Sequence, residues 1–130
     1  MTVAYVLDTG ALIAAERGDA RVLKLFGLAT MGRTILRVPM VCILEWWRGR
    51  TDVRETILRA VVVEPLTLAI TKAAGEAIAR VAGASAIDSA VMATAAVRGG
   101  IVITQDVGDL EKLRTHFPSV RVLRRGDIPR

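Results

Sequence analysis

The chain predicts an α/β fold in which a parallel sheet is covered by helices on both faces. Three observations carry this. Short apolar runs alternate with helical segments along the whole sequence, the pattern of βαβ units with right-handed crossovers. Hydrophobic residues make up 52% of the chain but aromatics only 4%, so the core is mainly Val, Leu, Ile and Ala, a mix that suits a buried parallel sheet. The run Ile101 to Thr104 is apolar and β-branched without alternation, as expected of a strand buried on both faces. A length of 130 residues is most simply one domain, residues 1–130, large enough for a sizeable core.

In chain order, Val3 to Leu7 predicts the first strand, broken by Asp8, Thr9 and Gly10. A helix follows over Ala11 to Glu16. Gly18 and Asp19 separate it from a second, Ala20 to about Met31. Thr34 to Val38 is the second strand. Pro39 fits the first turn of the next helix, where its missing N–H costs nothing, and that helix extends to about Gly49. Asp52 to about Ala60 is another short helix, and Val61 to Val63 a third strand closed by Pro65. Thr67 to Val81 reads as a helix ended by Gly83. Ser85 caps the Ala-rich helix that follows, and Gly99 and Gly100 stop it. After the Ile101 to Thr104 strand come a short helix, Asp109 to His116, a final strand, Val120 to Leu123, and the basic tail RRGDIPR. No repeat, low-complexity tract or linker interrupts the order.

Composition excludes several function classes. The single cysteine, Cys42, permits no disulfide within the chain and fits a reducing cytoplasm. Cys42 lies in an apolar run far in sequence from the only histidine, His116, so the cysteine reads as a small buried residue rather than a nucleophile. One His and one Cys cannot build a structural zinc site. No Walker A or Rossmann glycine pattern is present. The N-terminus MTVAYVLDTG is not that of a signal peptide, and no apolar run approaches a membrane span. The formal charge is +5, and fifteen of the eighteen basic residues are Arg. That balance points to a polyanionic partner, most simply nucleic acid.

The acidic residues carry the chemistry. In a parallel sheet, polar function gathers beyond the carboxyl ends of the strands. Asp8 and Asp106 each follow a strand directly, and Asp88 opens the helix that packs back along the strand before Asp106. Each has an innocent reading as a cap. Asp8 fits before the first helix, Asp88 stands three residues after Ser85, the spacing of a capping box, and Asp106 precedes the helix near Asp109. Glu45 does not fit that reading, because it falls inside a helix between an apolar run and two tryptophans. There it either faces solvent or is buried with a compensating partner. Four converging carboxylates repel one another unless a cation intervenes. A hard divalent ion with oxygen ligands, Mg²⁺ or Mn²⁺, supplies one, and it makes a bound water able to attack a phosphodiester.

The segments VLDTGALIA, VPMVCILEWWRG, AIDSAVMATAAVRGG and IVITQDVGDLEKL resemble, in order, the motifs of the PIN domain, and most closely its VapC-like toxins of prokaryotic toxin–antitoxin pairs. The resemblance covers nearly the whole chain. It implies a Rossmann-like three-layer α/β/α sandwich and a metal-dependent endoribonuclease whose acids are Asp8, Glu45, Asp88 and Asp106. It implies that Asp8 and Asp88 contact Mg²⁺, which Mn²⁺ can replace, with Asp106 contributing directly or through water. Glu45 holds or orients the attacking water. Thr104 matches the family's hydroxyl near the site, although an ordinary strand residue explains it equally well, and Thr9 and Asp109 are supporting positions. The resemblance also implies an RNA substrate, a homodimer and a small VapB-like antitoxin. Trp46 and Trp47 are groove or dimer contacts on this view. On the plain view one is core and the other a rim residue. Arg48, Arg50, Arg121, Arg124 and Arg125 are candidates to track an RNA backbone. The segments after Glu45 and before Asp88 are short for the family, which predicts trimmed helices there. Two other functions stay open: an RNA-processing nuclease with no toxin role, and a non-catalytic basic dimerisation or binding module. A phosphoryl-accepting receiver is disfavoured, because it needs an acidic pair after the first strand and a late Lys.

Overall fold

Five strands pair in one parallel sheet in the order β3-β2-β1-β4-β5. They are β1 (Val3–Leu7), β2 (Thr34–Pro39), β3 (Val62–Glu64), β4 (Ile101–Thr104) and β5 (Val122–Arg124). The computed structural model describes residues 2–129, so Arg130 of the basic tail lies outside the described residues. The helices are α1 (Thr9–Glu16), α2 (Ala20–Thr30), α3 (Met40–Trp46), α4 (Asp52–Ala60), α5 (Leu68–Arg80), α6 (Ala86–Arg98) and α7 (Val107–Leu113), with a 3₁₀ turn at Arg125–Asp127. Helices α1, α2 and α4 pack together as one layer, and α5, α6 and α7 as another. This is the predicted α/β/α arrangement.

The core explains the layers. Val6, Leu7, Leu36, Val38, Val102 and Ile103 are buried along the central strands. Leu12, Val22, Leu25 and Ile57 bury from one layer, and Ile70, Ala77, Val91 and Met92 from the other. Helix α6 is buried continuously from Ser89 to Ala95. Its small Ala residues let it lie close to the sheet, which a helix of larger side chains does not allow.

Several boundaries differ from the sequence reading, each for a local reason. Helix α3 stops at Trp46 rather than near Gly49, because Trp47 is already extended (ψ 127°). Pro39 is the last residue of β2 and precedes α3 instead of sitting in its first turn. Helix α7 begins two residues earlier than Asp109, and β5 is shifted toward Arg124. The predicted trimming is partial. Helix α4 is a full element, while α5 joins α6 through residues 81–85 alone.

The topology fixes where a site can form. The chain builds outward from β1 to β2 and β3, then crosses to β4 and β5 on the other side of β1. Strand order therefore reverses between β1 and β4, and a crevice opens beyond their carboxyl ends. The register pairs Leu7 with Ile103, which sets Asp8 beside Thr104 at that crevice.

Candidate active site

The crevice is a cleft of about 250 Å³ lined by Asp8, Thr9, Glu45, Asp88, Thr104, Asp106 and Asp109, together with Gly10, Ile87 and Gln105. All seven residues singled out from the sequence meet there. Gly10 and Gln105 were not singled out. Their only signal in the sequence is adjacency to Thr9 and to the Thr104–Asp106 pair.

Each acid is positioned by a different element. Asp8 directly follows β1 and caps α1, its Oδ1 accepting from the Ala11 N–H at 2.9 Å. The capping reading is therefore correct for Asp8, and the cleft reading is too, since a cap engages one oxygen and leaves the other. Asp88 is set by the first turn of α6, where Ser85 Oγ accepts from the Asp88 N–H at 3.0 Å. Asp106 makes no capping bond to α7, contrary to the sequence reading. Instead its own N–H donates to Thr104 Oγ1 at 3.1 Å, which fixes the backbone as it leaves β4.

Glu45 lies on the exposed side of α3, not buried. The Thr9 hydroxyl donates to its Oε1 and holds it toward the cleft. The inference that a buried Glu45 demands a cation is thus replaced by a simpler one: Glu45 is a solvent-facing carboxylate steered by a hydroxyl. Thr104 is buried, and its hydroxyl faces Asp8 and Asp106 rather than serving only as strand bulk.

Electrostatics report the crowding. Burial pushes the Asp8 carboxyl above its ordinary range, and the Asp88 and Glu45 charges add to the rise, against the Ala11 N–H and the Thr104 hydroxyl. Burial also raises Asp88, with Asp109, Glu45 and Asp106 adding to it and Ser85 opposing. Beneath the cleft, burial pushes the Cys42 thiol up to about 12, with the Asp8 and Glu45 charges contributing. Such a thiol is no nucleophile at neutral pH.

Among the described residues, no Lys or Arg forms an ion pair with Asp8, Glu45, Asp88 or Asp106, whereas Asp109 has Lys112 at 4.0 Å. Among the described residues, no three His, Cys, Asp or Glu side chains come close enough together to hold an ion by themselves. Mg²⁺ takes only one or two carboxylates and keeps several waters. The donor set is oxygen only, the chemistry of a hard divalent ion.

The neighbouring residues divide. Trp46 is buried, and its Nε1 donates to Glu16 Oε1 at 2.8 Å. Arg54 pairs with the other oxygen of Glu16 at 3.0 Å, so one carboxylate ties α1 to α3 and α4. Trp47 is half-buried and meets Trp46 edge to face. Thus one tryptophan is core and the other rim. Arg48 lies outside the cleft, in an adjoining hollow that shares Glu45 with it, and Arg125 lines a second adjoining hollow. Arg50, Arg121 and Arg124 line neither.

The PIN domain family model matches residues 5–114. No curated protein matches the chain. Among solved structures, VapBC2 from Rickettsia felis bound to a DNA fragment from its promoter aligns with TM-score 0.72 and 12% identity, covering 94% of this chain and 98% of that one. DNA-bound VapBC from Salmonella typhimurium aligns at TM-score 0.71 and 16% identity, covering 96% and 99%. FitAcB from Neisseria gonorrhoeae aligns at 0.64 and 15%, covering 95% and 99%. At these identities the likeness is one of fold.

Proposed function

The chain belongs to the PIN-domain family, and from that membership we propose that it is a Mg²⁺- or Mn²⁺-dependent endoribonuclease of the VapC type, the toxin of a toxin–antitoxin pair. The observation that carries this reading is the cleft itself. Five carboxylates line one crevice at the strand-order switch, and four of them, Asp8, Glu45, Asp88 and Asp106, have no cationic partner among the described residues.

The residues divide the work. Asp8 and Asp88, raised by burial and by their acidic neighbours, gain most from a cation and would hold it directly. Asp106 and Asp109 would support it through water. When bound, the metal neutralises the acids, makes water easier to deprotonate and stabilises charge on the phosphodiester. Glu45, with Oε1 engaged by Thr9, has Oε2 to orient the attacking water and take its proton. Thr104 keeps Asp8 and Asp106 in place through its hydroxyl.

The toxin role includes a homodimer and a small antitoxin. An apolar groove of about 360 Å³ between α2 and α4, walled by Leu23, Phe26, Val53 and Ile57, fits the apolar face of a partner segment. The family and the fold likeness to VapBC and FitAcB chains support that partner.

The deciding experiment incubates the partner-free protein with structured RNA and Mg²⁺. Cleavage is expected, it is lost in EDTA, and Asp8→Ala or Asp88→Ala reduces it by at least about 100-fold. Cleavage that survives EDTA or either substitution rejects the reading.

A further inference from the structure

The acid cleft does not end at Gly10 and Gln105. Both residues also line an adjoining hollow of about 380 Å³ walled by Arg17 and Arg125. That hollow in turn shares Asp19 and Arg125 with a third, about 610 Å³, where Arg21 and Lys24 are added. Through these shared walls one trough runs from the acids past the end of α1 to the start of α2. Gly10 leaves the junction bare, since a Cβ there would stand 3.4 Å from Asp8 Oδ1.

The trough changes sign along its length. Beyond the acids it presents four cations against a single carboxylate, Asp19. Both oxygens of Asp19 are already engaged: Oδ1 caps α2 through the N–H groups of Arg21 and Val22, and Oδ2 lies 3.6 Å from Arg125. Among the described residues, neither the Arg17 nor the Arg21 guanidinium has a carboxylate within ion-pair distance. The Asp19–Arg125 pair draws the C-terminal 3₁₀ turn against α2, which helps form the trough wall. A groove that tracks a backbone with cations, continuous with a cleft for one reacting phosphodiester, is the form expected for a single strand.

We propose that this trough carries the RNA strand to one side of the scissile phosphate, with Arg17, Arg21, Lys24 and Arg125 contacting successive backbone phosphates. The proposal rests on the ribonuclease reading. It moves the binding role from Arg48, Arg50, Arg121 and Arg124 to residues at the α1–α2 corner, keeping only Arg125 of the five arginines read from the sequence.

The test measures binding of a fluorescein-labelled single-stranded RNA by anisotropy in EDTA, where no metal-dependent cleavage interferes. Arg17→Gln with Arg21→Gln is expected to weaken binding at least 10-fold at moderate salt. The slope of log K against log salt should fall by about 1.4, two phosphate contacts at ~0.7 each. Arg59→Gln with Arg80→Gln, on exposed arginines that line none of these hollows, serves as the control and stays within 2-fold. Arg17→Gln alone gives a partial loss, and melting curves establish that each variant is folded. Equal loss in both pairs, no loss in the trough pair, or a wild type that does not bind RNA without metal overturns the proposal. None of these results touches the cleavage assay, so the ribonuclease reading stands or falls separately.

Discussion

Asp8 does two jobs with one carboxylate. Its Oδ1 caps α1, and the carboxyl sits in a crowded, half-buried place that raises it above its ordinary range. Because its folded value is raised, the folded chain holds the proton at a pH where the unfolded chain has already lost it. Stability from this group is therefore lost as pH rises from the unfolded value through the raised one, and at neutral pH the metal-free charge is a cost. Asn caps a helix as well as Asp does. Asp8→Asn is thus expected to raise the Tm at pH 7 in EDTA, and added Mg²⁺ to raise the wild-type Tm but not that of the variant. A variant that melts at or below wild type in EDTA rejects the charge-cost account. The same pairing shows what could be read from sequence at this scale. Asp8, Asp88 and Asp106 were visible because strands and caps are local. The exposure of Glu45 and its hold by Thr9 were not, because that bond links two residues far apart in the chain.

At the scale of elements, the tight passage from α6 into β4 brings the backbone close against β1. Gly100 has φ +129°, and a Cβ there would lie 3.0 Å from Val6 Cγ2. The backbone angle strains any side chain, and the space is tighter than an ordinary contact. Gly100→Ala is expected to cost about 1–3 kcal/mol, read from the urea midpoint at constant m-value; a change inside 0.5 kcal/mol contradicts it. The Gly99–Gly100 stop was legible because glycine marks helix ends. The end of α3 was not, since Trp47 carries no breaking signal and Gly49 lies beyond it. Likewise the Glu16 clamp on Trp46 and Arg54 leaves no trace in spacing. The buried Glu64, held by Arg37 at 3.0 Å and Arg98 at 3.2 Å, joins β2, β3 and α6 in the same non-local way.

For the whole molecule, alternation of strand and helix was enough to give a parallel sheet, and the two strand-end aspartates were enough to locate a pole. The strand order was not written in any local pattern, and it alone decides that β1 meets β4. That adjacency also sets an order in time. The pairing of Tyr5 with Ile101 and of Leu7 with Ile103 closes about three quarters of the chain, whereas the β1–β2 ladder joins closer neighbours. Long closures form late because their entropy must be met first. In pulsed hydrogen exchange during refolding, β1–β2 amides are expected to gain protection before those bridging β1 and β4, and the reverse order excludes this route. On the ribosome the same geometry acts as a timer. Asp8 emerges early, but its partners Asp88 and Asp106 emerge only after most of the chain, so the nascent protein cannot assemble the acid quartet until synthesis has passed β4.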